Sequence, residues 1–245
     1  MVLNAQYSSP VRPATVHIAP FPVGPRPAAT PPAGLPPPRR PVARLLDLVV
    51  AGVALVLLSP VMAGIAALVA LTSRGPVLFR QVRLGQHCRP FVMLKFRTMH
   101  VDCDDGPHRE YVRALLADPA VAPEGAGGLF KLVDDPRITR LGRWLRTTSL
   151  DELPQLVNVL RGDMALVGPR PVLPWEAALF DPRHAGRFAV PPGITGLWQT
   201  SGRNRLTMTE ALDLDVEYVR RRSLRLDLAI LLRTIPVVLT HEGVG

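Results

Sequence analysis

The chain has 245 residues, which is enough for one or two domains with a sizeable core. Its net charge of +9 comes almost entirely from arginine, which fits either a coding bias or the recognition of phosphates. Two cysteines exclude a disulfide framework and favour a reducing compartment. The basic surplus lies partly in the first 44 residues and no aromatic stacking platform accompanies it, so the composition argues against a nucleic-acid-binding protein.

The amino-terminal segment, residues 1–41, holds 12 of the 27 prolines and shows no apolar period. Such a segment cannot bury enough apolar surface to offset the entropy lost on ordering. It therefore predicts a disordered tail. A secretory signal is excluded because no apolar core follows the amino terminus closely.

The most apolar segment, residues 48–71, contains 24 residues without a charge and is long enough to span a bilayer as a helix. Ser59-Pro60 lies at its centre, where proline removes a backbone donor and should bend the helix. Arginines flank the segment on both sides, so the positive-inside bias gives no asymmetry. These features predict a re-entrant membrane helix over 42–73 that turns at Ser59 and Pro60. A kinked spanning helix and a buried core helix remain as alternatives.

An alternating, strand-like pattern follows Gly75-Pro76. The runs 77–79 and 91–96 predict a β-hairpin with a long loop. In the second strand Lys95 and Arg97 should share one face, because side chains alternate along a strand.

Helical patterns dominate the rest of the chain. Residues 102–128 look like a variable insertion, and short helices are predicted at 110–116, 138–145 and 153–160. Leu224–Leu239 should form an amphipathic helix that lies either on the membrane surface or on the core. Pro236 is expected to interrupt that helix. The predicted fold class is therefore α+β, mostly helical.

Two adjacent carboxylates, Asp151 and Glu152, stand among arginines. They fit a capping box that begins at Ser149. A second register makes Asp151 the helix N-cap and places Pro154 at the third helical position, where no intrahelical donor is needed. We prefer this register, because it sets Asp151 beside free N–H groups at the positive end of a helix dipole. A carboxylate in a cationic surround suits chemistry on an anionic substrate, although Asp151 could also be only a cap.

Two proline- and glycine-bearing loops follow the acid pair. In the first, Arg170 stands between two prolines that restrict its backbone. In the second, which spans 191–205 and contains Arg203, close backbone approach to a phosphate or a base would be inexpensive.

Six motifs, each weak alone, occur between about Pro41 and Val238: Lys95-Phe96-Arg97-Thr98-Met99, Asp135-Pro136-Arg137-Ile138-Thr139, the run from Leu145 to Leu156, the run from Asn158 to Met164, Gly168-Pro169-Arg170-Pro171, and Gly193-Ile194-Thr195-Gly196. In this order they resemble the bacterial sugar transferase family, the small monotopic polyprenyl-phosphate phosphoglycosyl transferases. The family uses a re-entrant helix broken at a Ser-Pro pair, which agrees with the charge pattern around Ser59-Pro60. The proline-rich tail and the 102–128 insertion match no family pattern.

The resemblance implies transfer of a sugar phosphate from a UDP-sugar to polyprenyl (undecaprenyl) phosphate, with release of UMP. This would be the first membrane step of exopolysaccharide or glycoconjugate synthesis. It implies that Asp151 is the nucleophile of a covalent phosphosugar intermediate and that Glu152 supports it. The pair would also hold Mg²⁺. The expected substrate-binding residues are Lys95, Arg97, Arg146, Arg170 and Arg203.

Composition and the resemblance together predict three segments: a disordered tail at 1–41, a re-entrant membrane helix at 42–73, and a catalytic domain at 74–245 with a short β-hairpin and amphipathic interfacial helices. That domain would lie on the cytoplasmic face of the bacterial inner membrane, in contact with membrane lipids. A rival hypothesis is a non-catalytic membrane scaffold for polysaccharide assembly, which needs the apolar segment and the tail but not the acid pair. The sugar and the oligomeric state are left open.

Overall fold

The computed structural model describes residues 41–101, 103, 106–117, 135–201 and 206–239. The tail up to residue 40, most of the 102–128 insertion and Arg203 lie outside the described residues. The elements of the described part, in chain order, are α1 (Pro41–Thr72), β1 (Leu78–Leu84), β2 (Pro90–Phe96), α2 (Gly106–Ala117), α3 (Arg140–Thr147), α4 (Gln155–Arg161), β3 (Ala165–Val167), α5 (Pro174–Ala177), β4 (Gly193–Thr195), α6 (Leu197–Thr200), α7 (Met208–Arg221) and α8 (Leu224–Leu239). The predicted class, mostly helical α+β, is confirmed.

Helix α1 runs through Ser59 and Pro60 as one continuous element. Pro60 has no N–H to donate to the carbonyl of Val56, and the Ser59 hydroxyl donates to that carbonyl instead, at 2.8 Å. The freed acceptor is thus satisfied within the helix, which matters in a medium without water. Within the described residues, α1 is the one helix long and apolar enough to cross a membrane. The predicted re-entrant turn is not confirmed and stays a prediction.

Both halves of α1 pack against the rest of the chain, while its middle is exposed. In the first half, Ala51 is fully buried in the main core. In the second half, Ile65 and Val69 are buried in a separate apolar cluster. Between them, Val56 and Leu57 are more than 70% exposed. An exposed apolar stretch of this size marks a surface that meets something other than water.

The β-hairpin predicted from the sequence is confirmed, with a longer first strand and a shorter loop. Strands β1 and β2 pair antiparallel from Leu78↔Phe96 to Leu84↔Pro90. The predicted first strand ended at 79 because charged residues follow, but Arg80 and Arg83 belong to the paired strand. Charged side chains are tolerated on so small a sheet, because its faces remain partly open to water.

The main core lies between α1, α4, the short parallel pair β3–β4, α7 and α8. Tyr218 of α7 joins three of these elements, because its hydroxyl lies 2.7 Å from Asp227 Oδ1 in α8 and 3.1 Å from the Val167 carbonyl in β3. Burial raises the pKa of this phenol well above its ordinary value, with the Asp227 carboxylate adding to the effect, so Tyr218 stays protonated. The core therefore fixes β3 and the loop that follows it.

Helix α8 packs on the core, which confirms one of the two alternatives predicted for it, and a position on the membrane surface stays a prediction. One face packs on the core, where Ile230 is fully buried and the Thr234 hydroxyl lies 2.8 Å from that of Thr195. On the other face Leu228, Leu232 and Ile235 are each more than half exposed. The expectation that Pro236 interrupts the helix is wrong, since α8 continues to Leu239. Pro236 lies near the end of α8, and its missing N–H frees only the carbonyl of one residue four positions earlier.

Candidate active site

The acid pair lies in a tight turn between α3 and α4. Ser149 adopts a left-handed conformation (φ 57°, ψ 15°), and its side chain caps nothing. Residues Leu150–Glu152 form one turn of 3₁₀ helix, and α4 begins only at Gln155. The Leu153 N–H donates to the Leu150 carbonyl, so this carbonyl does not need an N–H from Pro154.

The capping box predicted at Ser149 is not formed, because Ser149 stands at the N-cap position of the 3₁₀ turn but its side chain makes no capping bond. The prediction that Asp151 is a helix N-cap is wrong, because Asp151 lies inside that turn and α4 begins only at Gln155. The i→i+3 bonding of a 3₁₀ turn needs no N–H from Pro154. The sequence period located a helix after the pair correctly. It could not distinguish a 3₁₀ turn from the first turn of an α-helix.

Lys95 of β2 faces both carboxylates. Its Nζ lies 2.6 Å from Glu152 Oε1 and 3.9 Å from Asp151 Oδ2. Asp151 is 7% exposed, so its carboxylate depends on protein partners more than on water. The structure thus brings together three of the predicted site residues.

Asn158 fixes the register between β2 and the helix that follows the acid pair. The fully buried amide of Asn158 accepts from the Leu94 N–H at 3.0 Å and donates to the Val92 carbonyl at 2.8 Å. Two bonds from one amide to alternate residues of a strand hold α4 against β2. Lys95, the next residue in the strand, is thereby aligned with Glu152.

A pocket beside the acid pair gathers further positive charge. Arg83, Lys95, Glu152 and Arg170 all line it. Burial lowers the pKa of Arg83 to about 10, against the opposing effect of Glu176, so its guanidinium is still charged at neutral pH. Arg170, one of the predicted substrate-binding residues, lines this pocket together with Arg83, which the sequence analysis did not single out. The alternation of side chains along β1 was the sequence signal that could have identified Arg83 as a residue of this pocket.

A buried ion pair contacts the backbone of Arg170. Arg187 Nη2 lies 2.6 Å from Asp215 Oδ2, and both side chains are 2% exposed. The same Nη2 donates to the Arg170 carbonyl at 2.8 Å, and the Arg170 backbone N–H stabilises the ionised Asp215 carboxylate. Burial nonetheless raises the pKa of Asp215 above its ordinary value. The Arg187–Asp215 pair holds the backbone of Arg170 through both of its polar groups, and no local sequence pattern indicates this pair.

Arg146 of α3 lies near the acid pair from the other side. Burial lowers the pKa of its guanidinium, and Asp151, followed by Asp135, opposes this shift. Asp135 is itself held by Arg137, whose Nε and Nη2 donate to the two carboxylate oxygens at 2.9 and 2.8 Å. Arg146 is therefore an electrostatic neighbour of Asp151, as the sequence predicted.

Arg97 does not line the pocket that Lys95 lines, and its predicted role in substrate binding stays a prediction. Strand β2 ends at Phe96, so the alternation that would align Arg97 with Lys95 stops there. Arg97 is 6% exposed, and its guanidinium donates to the Ser73 carbonyl and hydroxyl at 2.8 Å and to the Pro76 carbonyl. It fastens the chain at the end of α1 instead. Arg203 lies outside the described residues.

The glycines of the two predicted loops permit the loops to contact each other. A Cβ on Gly193 would collide with the backbone N of Gly168, and a Cβ on Gly168 would lie 2.5 Å from the Pro191 carbonyl oxygen. The sequence suggested close approach to a ligand, whereas the structure shows close approach of backbone to backbone. This contact sets the loop of Arg170 against β4.

The family model described as bacterial sugar transferase matches residues 38–241, most of the chain. The chain belongs to the bacterial sugar transferase family. Membership confirms the predicted family and the predicted enzyme class, a transferase.

Three relatives illustrate the family. The exopolysaccharide production protein ExoY of Rhizobium meliloti is 42% identical over 82% of this chain and 86% of its own length. The UDP-glucose:undecaprenyl-phosphate glucose-1-phosphate transferase of Caulobacter vibrioides is 41% identical over 82% of this chain and 70% of its own. The galactosyl transferase CpsE of Streptococcus agalactiae is 44% identical over 69% of this chain. The chain spans 36% of the length of CpsE, and so about a third of that relative.

In this sugar transferase the acid pair also offers ligands for a hard cation. The carboxylates of Asp151 and Glu152 both face the Lys95 ammonium, so the two groups border the same small space. No cluster of three or more His, Cys, Asp or Glu suited to a metal occurs in the part of the chain that the structure describes. Mg²⁺ commonly binds through one or two carboxylates together with substrate phosphates, so a two-carboxylate site fits it.

Proposed function

We propose that the protein transfers a sugar phosphate from a UDP-sugar to undecaprenyl phosphate, giving the polyprenyl-diphosphate sugar and UMP. The observation that carries this proposal is the convergence of Asp151 and Glu152 on Lys95, beside a pocket with Arg83 and Arg170. A carboxylate nucleophile needs nearby cations before it can approach an anionic diphosphate. The name of the Caulobacter relative, a UDP-glucose:undecaprenyl-phosphate glucose-1-phosphate transferase, supports the same substrate classes.

The proposed reaction has two displacements at one phosphorus. An Asp151 carboxylate oxygen attacks the phosphorus that bears the sugar, and the bond from that phosphorus to the UMP oxygen breaks. UMP leaves with the electron pair. A phosphate oxygen of undecaprenyl phosphate then attacks the same phosphorus, the bond to Asp151 breaks, and the carboxylate is regenerated. The bond between the sugar and its phosphate oxygen stays intact, and no external oxidant or reductant is needed.

The other residues of the site bind and balance charge. Arg170 and Arg83 face the pocket, where they would hold diphosphate oxygens, and Arg146 offsets the charge of Asp151 from the opposite side. The positive charge of Lys95 would offset the repulsion between the two carboxylates. Mg²⁺ held by Asp151 and Glu152 would neutralise charge on the diphosphate and on the departing UMP.

The exposed apolar surfaces of α1 and α8 support a membrane position for the protein. We place the middle of α1 in the bilayer and the exposed face of α8 at its surface, with the catalytic domain on the cytoplasmic face, where nucleotide sugars are made. A re-entrant α1 is the arrangement we favour, because both halves of the helix pack on the same domain while the middle is exposed. The name of the ExoY relative fits a role early in exopolysaccharide synthesis.

Substitution of the nucleophile tests the proposal. In detergent with undecaprenyl phosphate and a panel of UDP-sugars, Asp151→Asn should release no UMP, while Asp213→Asn, an exposed carboxylate far along the chain, should keep wild-type turnover. Incubation of the wild type with UDP-sugar alone should leave a sugar-phosphate adduct on Asp151 in the mass spectrum. Undiminished turnover by Asp151→Asn would refute the covalent mechanism.

A further inference from the structure

The pocket beside the acid pair has a neutral side as well as a cationic one. Gln155 and Gln199 line it opposite the positive groups, together with Met93, Gly193 and Ile194. Diphosphate oxygens are acceptors and need cations or donors only. A carboxamide offers both a donor and an acceptor, which matches a sugar hydroxyl rather than a phosphate.

Gln155 is the more buried of the two carboxamides. It is the first residue of α4, three positions after Glu152, so the two side chains lie on one side of the chain. Only 2% of Gln155 is exposed, and within the described residues no hydrogen bond joins its amide to another group. An amide at a pocket wall with no hydrogen bond to a described residue is available to bind a ligand group, because burial of a polar group without a partner is unfavourable.

Gln199 also lines the pocket. Its Nε2 donates to the Ile194 carbonyl at 3.2 Å, which fixes the orientation of the amide. Its Oε1 is then left buried with no hydrogen-bond partner among the described residues. That oxygen packs against Gly196, where an added Cβ would lie 2.6 Å away, so the glycine makes room for it. The free lone pairs of Oε1 require a donor, and a hydroxyl supplies one.

We propose that Gln155 and Gln199 form a subsite for the hydroxyls of the transferred sugar. This inference rests on the proposed function for the identity of the donor. The diphosphate would lie against Arg170 and Arg83, and the sugar, attached to the phosphate that reacts, would lie against the two carboxamides. Neither residue was singled out by the sequence for this role, since a glutamine carries no charge pattern that marks a site.

Binding to a variant that cannot turn over separates the sugar from the nucleotide. In an Asp151→Asn background, the affinities of UDP-sugars and of UDP are measured by calorimetry on the full chain in detergent. Gln199→Leu and Gln155→Leu should each weaken the preferred UDP-sugar by about 10-fold, the loss expected for one hydrogen bond, and leave UDP unchanged. Equal losses for UDP and UDP-sugar would assign the pair to the nucleotide and overturn the proposal, as would no loss for either.

Gln86→Leu is the matched control. Gln86 is also half-buried, and its Nε2 donates to a backbone carbonyl, that of Ala189, at 2.8 Å, but it does not line the pocket. It should leave both affinities unchanged. If it weakens the UDP-sugar as strongly as Gln199→Leu does, the effect is structural and the proposal fails.

Deoxy-sugar analogues give a second, independent measure. One UDP-deoxyhexose should bind less tightly than its parent to the Asp151→Asn protein, and Gln199→Leu should weaken it no further, because the same hydrogen bond cannot be lost twice. Additive losses for every deoxy position would overturn the assignment. The proposed function stands or falls separately, on UMP release by the wild type. Sugar-dependent binding without turnover would reject that function and leave the subsite standing.

Discussion

At the scale of single residues, Lys95 links the acid pair to the strand that positions it. It lies on a strand that Asn158 fixes against α4, and its ammonium contacts both acids of the adjacent pair. Two neighbouring carboxylates with no cation between them would repel each other and any diphosphate. The position of one ammonium group is thus a condition for the pair to accept an anionic substrate.

Replacement of Lys95 should therefore slow the chemical step. Lys95→Gln is expected to lower kcat for UMP release by about 100-fold, the scale of losing one electrostatic contact in an active site. Lys95→Arg keeps the charge and should recover part of the loss. Steady-state kinetics with saturating undecaprenyl phosphate measure both variants. A Lys95→Gln protein with normal kcat and a raised KM would show that the lysine only binds substrate.

Asp135 gives a prediction about acid stability. Hydrogen bonds from Arg137 hold the pKa of Asp135 below its ordinary value. Because the folded pKa lies below the unfolded one, the ionised carboxylate stabilises the fold above about pH 4, and this contribution is lost as the pH falls through the folded value. Asp135→Asn should lower the free energy of unfolding by about 1–2 kcal/mol at pH 7, and the difference should shrink below about pH 4.

Denaturant titrations in detergent between pH 7 and pH 3 measure this difference. Glu217→Gln is the control, because Glu217 pairs with Arg221 on an exposed face and should change stability little at any pH. A difference between Asp135→Asn and the wild type that stays constant down to pH 3 would mean that the carboxylate contributes through packing rather than through its charge.

At the scale of elements, the loop of Arg170 is held by parts of the chain distant in sequence. Arg187 follows the loop by 17 residues and Asp215 by 45, yet both contact its backbone. Removal of one member of a buried ion pair leaves an uncompensated charge, so Arg187→Leu should destabilise the fold by about 3–5 kcal/mol. The double variant Arg187→Leu/Asp215→Leu should regain much of that stability.

Activity should not return with stability in the double variant. Without the Arg187–Asp215 pair the Arg170 backbone loses both of its supports, so KM for the UDP-sugar should stay raised by about 10-fold after the fold recovers. Thermal unfolding and steady-state kinetics on the same preparations compare the two effects. Recovery of a normal KM together with stability would show that the pair serves only the core.

The sequence predicted element types better than it predicted contacts. It located α3, α4, α8 and the β-hairpin because local periodicity and turn residues determine them. It placed Lys95, Arg146 and Arg170 near the acid pair because the motifs keep their order. It did not indicate the partners of Arg97, because β2 ends one residue before it and the alternation along the strand stops there. Partners such as Asp215 depend on tertiary packing, for which a single sequence carries no local signal.

At the scale of the whole molecule, the path of α1 determines which side of the bilayer each end of the chain meets. In a background where Cys88 and Cys103 are serine, single cysteines near Ser8 and near Gly106 are exposed to a membrane-impermeant reagent from outside the cell. Neither should be labelled if α1 is re-entrant, because both then lie in the cytoplasm. Both should be labelled after permeabilisation, and labelling of the first position alone in intact cells would establish a spanning helix.

The contact between Arg44 and α4 has one more consequence. Arg44 lies four residues before the apolar run of α1, and its guanidinium donates to the carbonyls of Val159 and Leu160 in α4. Leu160 and Glu152 are eight residues apart and are joined by α4 and the 3₁₀ turn before it, which at about 1.5–2 Å per residue cover about 12–16 Å. A lipid headgroup layer is about 5–8 Å deep, the difference between the full bilayer and its hydrocarbon core. If α1 lies in the bilayer, as we propose, the short distance along α4 would keep the acids near the layer where lipid phosphates reside, and the acceptor could react without leaving the membrane.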